Sequence, residues 1–297
     1  MSLHFPFPDE FDFRRGARIA VVGDVQRTGL IEFWREQNDA ERARIVRAIV
    51  EEAPALLITL GDHVFDGSSA RDWARFDALF APVREARLPV LPVVGNHDLW
   101  PRGALRHYFD RFRHLDGARF HARKVGPLGL VALDSNRFWL SPQRWEEQRQ
   151  WLAGVLDRFD GDPGLRGVLA LVHHPPYTNS TVASPSIAVE HSFLPAFLRA
   201  RKTLAMLSGH VHAYEHFARE GRHFLVSGGG GGPRHSLSPP ERHRFPDLFA
   251  GPSLRDFHYL LLEPGDEGLL IRARGLAKGA DEIRPLDEVF LPWRSPA

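Results

Sequence analysis

Five apolar runs, each ending in a short polar cluster, constrain this chain more than any other feature of it. The runs are Ile19 to Val22, Leu56 to Leu60, Val90 to Val94, Val168 to Val172 and Leu204 to Leu207. Rich in Val, Leu, Ile and Ala, they read as buried strands. The clusters that follow them are Asp24 with Gln26, Asp62, Asn96 with His97 and Asp98, His173 with His174, and His210 with His212. In open α/β sheets the working site lies outside the carboxyl ends of the strands. Five distant stretches are therefore expected to deliver carboxylate, carboxamide and imidazole groups to one crevice.

Helical patterns alternate with these runs. Asp39 to Glu52 and Ala70 to Phe80 carry apolar residues at helical spacing. Ser141, Pro142 and Trp145 to Leu156 read as an N-cap, a proline in the first turn and a helix body. His121 to Val125 and Gly129 to Leu133 flank Gly126-Pro127 as a hairpin. Beyond His212 the helical signal fades, and Phe224 to Ser227, His258 to Leu262 and Leu269 to Ala273 read as antiparallel strands. Residues 228–257 form an irregular segment with Gly228 to Gly232 in succession and five prolines after them. A loop of that length is either functional or disordered. With no repeat and no linker, one α/β domain over residues 1–297 is expected: a motif-bearing core over 17–227, the irregular loop, then C-terminal strands and tail over 258–297.

Formal net charge is +1, so the total gives no attraction to nucleic acid or membrane. Lysine occurs only at Lys124, Lys202 and Lys278 among 38 basic residues. The arginines are spread along the chain without the stripe expected of a nucleic-acid binder. There is no cysteine, which excludes thiolate ligands, cysteine nucleophiles and disulfides. Met1 through Arg15 includes Asp9, Glu10 and Asp12 and has no apolar core of a signal peptide. No run approaches the roughly 18 apolar residues of a membrane span, and a cytoplasmic protein is expected.

The donor set is what a pair of divalent cations needs. Two such ions about 3.5–4 Å apart can clamp a phosphoryl group and stabilise its entering and leaving oxygens. Asp62 is the natural bridging carboxylate. Asp24 and His212 would complete one side; Asn96, His173 and His210 would complete the other.

Gly23-Asp24, Gly61-Asp62, Gly95-Asn96-His97-Asp98, His173-His174-Pro175 and Gly209-His210-Val211-His212 resemble, in order, the five blocks of the calcineurin-like metallophosphoesterases. Gly209 to Glu215 is closest to the purple-acid-phosphatase-like branch. The resemblance implies a layered sandwich of two central β-sheets flanked by helices, with the metal site at the strand C-terminal ends. It implies Asp24, Asp62 and His212 on the first metal and Asp62, Asn96, His173 and His210 on the second. His97 would be the catalytic residue, binding the phosphoryl oxygen or protonating the leaving group. A metal-bound hydroxide would be the nucleophile. His173, two residues before the proline, is preferred to His174 as ligand.

Two positions depart from the family pattern. Gln26 stands where a histidine or glycine is usual, so its neutral carboxamide is a weak ligand or holds a metal-bound water. Phe65 stands where the acid phosphatases place an iron-binding tyrosine and the protein phosphatases an aspartate that orients the catalytic histidine; its side chain can do neither. An oxygen-rich first site favours manganese, with iron, zinc or magnesium as alternatives. The resemblance implies a phosphomonoesterase acting on a small molecule, against a small-molecule phosphodiesterase or a non-catalytic metal-binding scaffold. Trp100, Arg102, Arg106 and His107 either line the cleft or belong to a helix packed through Leu105 and Tyr108. Tyr177, Asn179 and Ser180 are a candidate further wall, and His216 a candidate support behind the metals.

Overall fold

The computed structural model describes residues 3–8, 11, 13–29, 32–101 and 105–294; Asp9, Glu10, Asp12 and Arg102 lie outside the described residues. Twelve strands and eight helices are found among them. The strands are β1 (Ile19–Val22), β2 (Leu56–Thr59), β3 (Val90–Pro92), β4 (His121–Val125), β5 (Leu128–Ala132), β6 (Gly167–Val172), β7 (Thr203–Ser208), β8 (Tyr214–Arg219), β9 (Arg222–Ser227), β10 (Phe257–Pro264), β11 (Gly268–Leu276) and β12 (Arg284–Pro292). The helices are α1 (Asp39–Glu51), α2 (Ala70–Leu79), α3 (Ala81–Glu85), α4 (Asn96–Leu99), α5 (Leu105–Arg111), α6 (Pro142–Gly161), α7 (Ile187–Ser192) and α8 (Leu194–Arg199).

The strands form two six-stranded sheets, ordered β12-β11-β10-β1-β2-β3 and β4-β5-β6-β7-β9-β8. β1, β2 and β3 run parallel, as do β5, β6, β7 and β9. Alternation along each strand sends side chains to two different layers. Ile19, Val21, Leu56 and Ile58 meet Leu130, Leu169, Leu171 and Leu207 between the sheets. Ala20, Val22 and Leu57 face α1 and α2 through Ile45, Ile49, Trp73 and Phe76. On the other side Val168, Ala170 and Val172 face Leu152, Val155, Phe193 and Phe197 of the α6 to α8 layer. The result is the expected helix–sheet–sheet–helix sandwich, and burial on both faces explains why the strands read as unbroken apolar runs.

The Ser141 hydroxyl accepts from the Arg144 amide and starts α6, with Pro142 in its first turn. The hairpin at Gly126-Pro127 is present, pairing Val125 with Leu128. Phe224 to Ser227 departs from expectation. It is antiparallel to β8, but its other edge runs parallel to β7. β8 and β12 carry no clear signal in the sequence, because these edge strands lack an apolar run: β12 is largely exposed and charged, and β8, though mostly buried, mixes Glu215, His216 and Arg219 with its apolar residues. The 228–257 segment contains only isolated bridges and a single 3-10 turn at Pro240–Arg242, yet Gly228 to Pro233 are buried. Among the described residues no helix is long and apolar enough to cross a membrane.

Candidate metal centre

All five polar clusters converge at the carboxyl ends of β1, β2, β3, β6 and β7. The loops are stitched together through their backbones: Asp24 N–H donates to Gly61 O, Gln26 N–H to Asp62 O, and Gly209 N–H to His173 O. Asp24, Asp62 and His210 adopt left-handed backbone conformations, with φ of 60°, 54° and 66°. Such conformations cost non-glycine residues energy and cluster at functional sites. The crossing is tight. A Cβ at Gly95 would lie 2.1 Å from Asp62 Oδ1, which explains the glycine opening that block.

His173 projects Nε2 to within 2.9 Å of Asn96 Oδ1 and 3.3 Å of Asp62 Oδ2, while its Nδ1–H donates to Leu60 O at 2.8 Å. His212 repeats the arrangement. Its Nδ1–H donates to Pro233 O at 2.7 Å, and Nε2 lies 3.5 Å from Asp24 Oδ1. A carbonyl partner on Nδ1 fixes the tautomer that leaves Nε2 a lone pair for a cation. Ligating atoms of Asp24, Asp62 and His173 lie within 4.8 Å of one another, as do those of His173, His174 and His210. Asp24 also accepts from the His210 backbone N–H.

The Gln26 carboxamide is buried beside them. With its NH2 donating to the carbonyls of Asp24 (3.2 Å) and Asp62 (3.0 Å), its oxygen faces His212 Nε2 at 3.1 Å. The same terminal position is 3.4 Å from Asp62 Oδ2. In this orientation the carboxamide oxygen is turned toward His212, and its own NH2 is satisfied by the main chain.

Asp24 and Asp62 are 0% and 1% exposed. Among the described residues neither pairs with lysine or arginine; their only ionisable partners are histidines. Burial pushes the Asp24 carboxyl up, and hydrogen bonding from His212 only partly offsets this. Burial also acts upward on Asp62, but the imidazoles of His173, His97 and His210 outweigh it and hold that carboxyl below the usual range. Burial lowers His173, while Asp62 raises it more, to about 9. Burial and the neighbouring His173 push His210 down to about 3. Two buried carboxylates amid imidazoles, with no lysine or arginine paired to them among the described residues, fit divalent cations in charge and donor chemistry.

His97 stands at the edge of this group. Its backbone N–H donates to Asp62 Oδ1 at 2.9 Å, and its ring Nδ1–H donates to the Phe65 carbonyl at 2.7 Å. The Phe65 ring packs against it, centroids 5.0 Å apart. The expectation that Phe65 cannot orient His97 therefore holds for its side chain only. The His174 ring lies 4.3 Å from that of His210, centroid to centroid, but its Nδ1 is 2.9 Å from Ser135 Oγ, which also accepts the His174 backbone N–H.

Several supporting residues carried little or no sequence signal. Asp98, fully buried, accepts from the backbones of Gly95, Asp62 and His63 and from His63 Nδ1. His235 stacks on His212, with centroids 4.2 Å apart, and accepts the His212 backbone N–H. A Cβ at Gly232 would lie 2.6 Å from the His212 ring, so the glycine run packs directly behind that side chain. Tyr177, Asn179 and Ser180 do not form a wall of the crevice. Asn179 donates to Phe245 O and accepts from Arg244 N, Ser180 bridges Leu237, and the Tyr177 ring packs on Phe224 and Phe245. They anchor the irregular segment instead. His216 pairs with His223 at 2.8 Å rather than with the converging donors. Arg106 is exposed on α5, whose Tyr108 is buried, while Trp100 does border the crevice. A cavity of about 750 Å³, lined by Arg166, Lys202 and Trp293 among others, lies at the opposite, amino-terminal ends of β6 and β7.

A model of the calcineurin-like phosphoesterase family matches residues 17–214. A search of curated proteins finds no match. Among solved structures, GAP50, the anchor in the inner membrane complex of Plasmodium, superposes with a TM-score of 0.66 at 14% identity, over 95% of this chain and 90% of that one. Purple acid phosphatase PPD1 from yellow lupin (Lupinus luteus) seeds gives 0.67 at 16% identity, over 95% of this chain and 54% of its own. A dimetal phosphatase from Danio rerio gives 0.61 at 15% identity, over 94% of this chain and 100% of its own. At such identities the likeness establishes a shared fold.

Proposed function

The chain belongs to the calcineurin-like phosphoesterase family, and from that premise we propose a phosphomonoesterase with two divalent cations held by Asp24, Gln26, Asp62, Asn96, His173, His210 and His212. Metal-dependent hydrolysis of phosphoesters is the family's chemistry. The specific reading rests most on one observation: Asp62 Oδ2 faces His173 Nε2 at 3.3 Å on one side and the Gln26 carboxamide at 3.4 Å on the other. An anionic oxygen close to both groups supports Asp62 as the carboxylate that two ions would share.

When bound, the ions supply charge for the phosphoryl oxygens and lower the pKa of an attacking water. The chain's own residues do the rest. Leu60 and Pro233 hold the His173 and His212 rings with Nε2 turned inward. Phe65 O holds His97 through Nδ1–H, and the imidazolium form of that ring, protonated on both nitrogens, would hand its Nε2 proton to the leaving oxygen and be left neutral. The acid-phosphatase-like run from Gly209 to Glu215 supports a monoester. Oxygen donors predominate around Asp24, with His212 the one imidazole facing Gln26, which supports manganese at that site. Residues 1–297 would act as one functional unit on a small-molecule substrate in the cytoplasm, without a nucleic-acid partner.

The test is metal analysis of the purified protein beside hydrolysis of p-nitrophenyl phosphate and bis-p-nitrophenyl phosphate under Mn²⁺. The same measurements are made on Asp62→Asn and His97→Ala. Metal loss in the first and lost turnover with metal retained in the second are expected. Faster turnover of the diester would reassign the substrate class, and no turnover of either ester would leave a metal-binding scaffold.

A further inference from the structure

The crevice continues from His97 into a cavity of about 300 Å³ lined by Glu32, Phe65, Asn96, His97, Trp100 and Trp139. Half of these residues are aromatic, and none of the three rings is needed by the converging donors. Trp100 is 44% exposed, a large solvent cost for a tryptophan with no core role. Its ring meets Phe65 near edge-on, with centroids 6.1 Å apart at 68°.

The walls are held in place by their backbones. The Gly67 N–H donates to both His97 O and Trp100 O, fixing the Trp100 loop to the segment after β2. Across the cavity, the Trp139 N–H donates to Asn136 O, and the Asn136 carboxamide donates to Val94 O beside β3. Glu32, the one carboxylate in this lining, is paired with Arg35 at 2.9 Å. The space is therefore a preformed, largely apolar slot bordered by Asn96 and His97. At about 300 Å³ it is at the small end for a ligand site and suits one ring system rather than an extended chain.

His97 stands on the leaving-group side of the proposed reaction, so what enters the slot is the alcohol portion of the ester. We infer that the slot selects phosphoesters whose leaving group carries a planar aromatic ring, received between Phe65, Trp100 and Trp139. This rests on the phosphoesterase reading and deepens it. Aromatic pairs in offset or edge-to-face geometry contribute about 0.5–1.5 kcal/mol beyond area burial, which corresponds to a preference of roughly 2- to 10-fold over a saturated ring of similar shape.

Benzyl phosphate and cyclohexylmethyl phosphate, alcohol esters of similar leaving ability, isolate the ring. The parent is expected to show a kcat/KM about 5-fold higher for benzyl phosphate. Trp100→Ala with Trp139→Ala should erase that preference, and Trp100→Phe should retain most of it. Equal kcat/KM for the two esters in the parent, or a preference that survives the double alanine variant, would overturn the inference. Isothermal titration with benzylphosphonate and cyclohexylmethylphosphonate reads the slot without turnover. If neither ester is hydrolysed, tighter binding of the benzyl compound that is lost in the double variant supports the slot, and equal binding rejects it.

Discussion

The carbonyl oxygen of Phe65 lies 2.7 Å from Nδ1 of His97, so the main chain performs a task that the side chain at this position cannot. Because a carbonyl survives side-chain replacement, Phe65→Leu should keep His97 oriented. Its kcat on cyclohexylmethyl phosphate, whose leaving group carries no aromatic ring, is expected within about 2- to 3-fold of the parent, against the roughly 10²- to 10⁴-fold loss of His97→Ala. A loss in Phe65→Leu as large as that in His97→Ala would show that the ring, not the carbonyl, does the orienting.

Gln26 faces both Asp62 Oδ2 and His212 Nε2, yet it offers only a neutral oxygen. Gln26→Ala is expected to weaken Mn²⁺ retention about 10- to 100-fold, the size of effect seen when a group supporting a metal site is removed. Gln26→His should tighten it, since imidazole is the stronger donor. Equilibrium dialysis of the three proteins against graded Mn²⁺ measures both. Retention of two zinc equivalents through dialysis, with full activity in the parent, would contradict a labile, oxygen-rich first site.

The five ligand-bearing strand ends were legible because each is a local pattern: an apolar run that must be buried, then a polar group that burial alone would not place there. His97 and Phe65 were recognisable as positions, but the bond between them uses a carbonyl, and main-chain atoms leave no mark in the sequence. Asp98 stood in view beside Asn96 and His97. Its actual work, gathering the amides of Gly95, Asp62 and His63, depends on two loops meeting, which no local pattern encodes. His235 was hidden for another reason. It lies in the aperiodic 228–257 segment, and only the chain's return past Gly232 stacks it on His212. β12 failed to stand out because Arg284, Pro285, Asp287, Glu288 and Pro292 interrupt its apolar alternation at an exposed sheet edge.

Asp98 ties two of the ligand loops together, so its removal should be felt as instability before it is felt as chemistry. Asparagine at this position would turn an amide toward at least one N–H donor and discard a buried negative charge next to His63. Asp98→Asn is expected to cost about 3 kcal/mol, or roughly 6–12 °C in Tm. Calorimetry of parent and variant in the same Mn²⁺ buffer measures the difference. A loss under 1 °C would mean that the carboxylate is dispensable to the loop crossing.

Glu215 supplies a pH dependence of the opposite sense to most acidic groups. Its carboxyl is fully buried, accepts from Thr178 Oγ and the Asn179 N–H, and is pushed by burial up to about 7 from its usual 4.5. Between those values the folded chain holds a proton that the unfolded chain has released. The contribution to stability is therefore complete below about pH 4.5 and is lost as pH rises through 7, by an amount on the order of 3 kcal/mol. Glu215→Gln has no such proton to lose, and its amide can still accept from Asn179. Urea unfolding of parent and variant from pH 5 to pH 8 should show the variant gaining relative stability across that range. A variant-minus-parent stability that is flat, or that falls, from pH 5 to pH 8 would mean that Glu215 is ionised in the folded protein throughout.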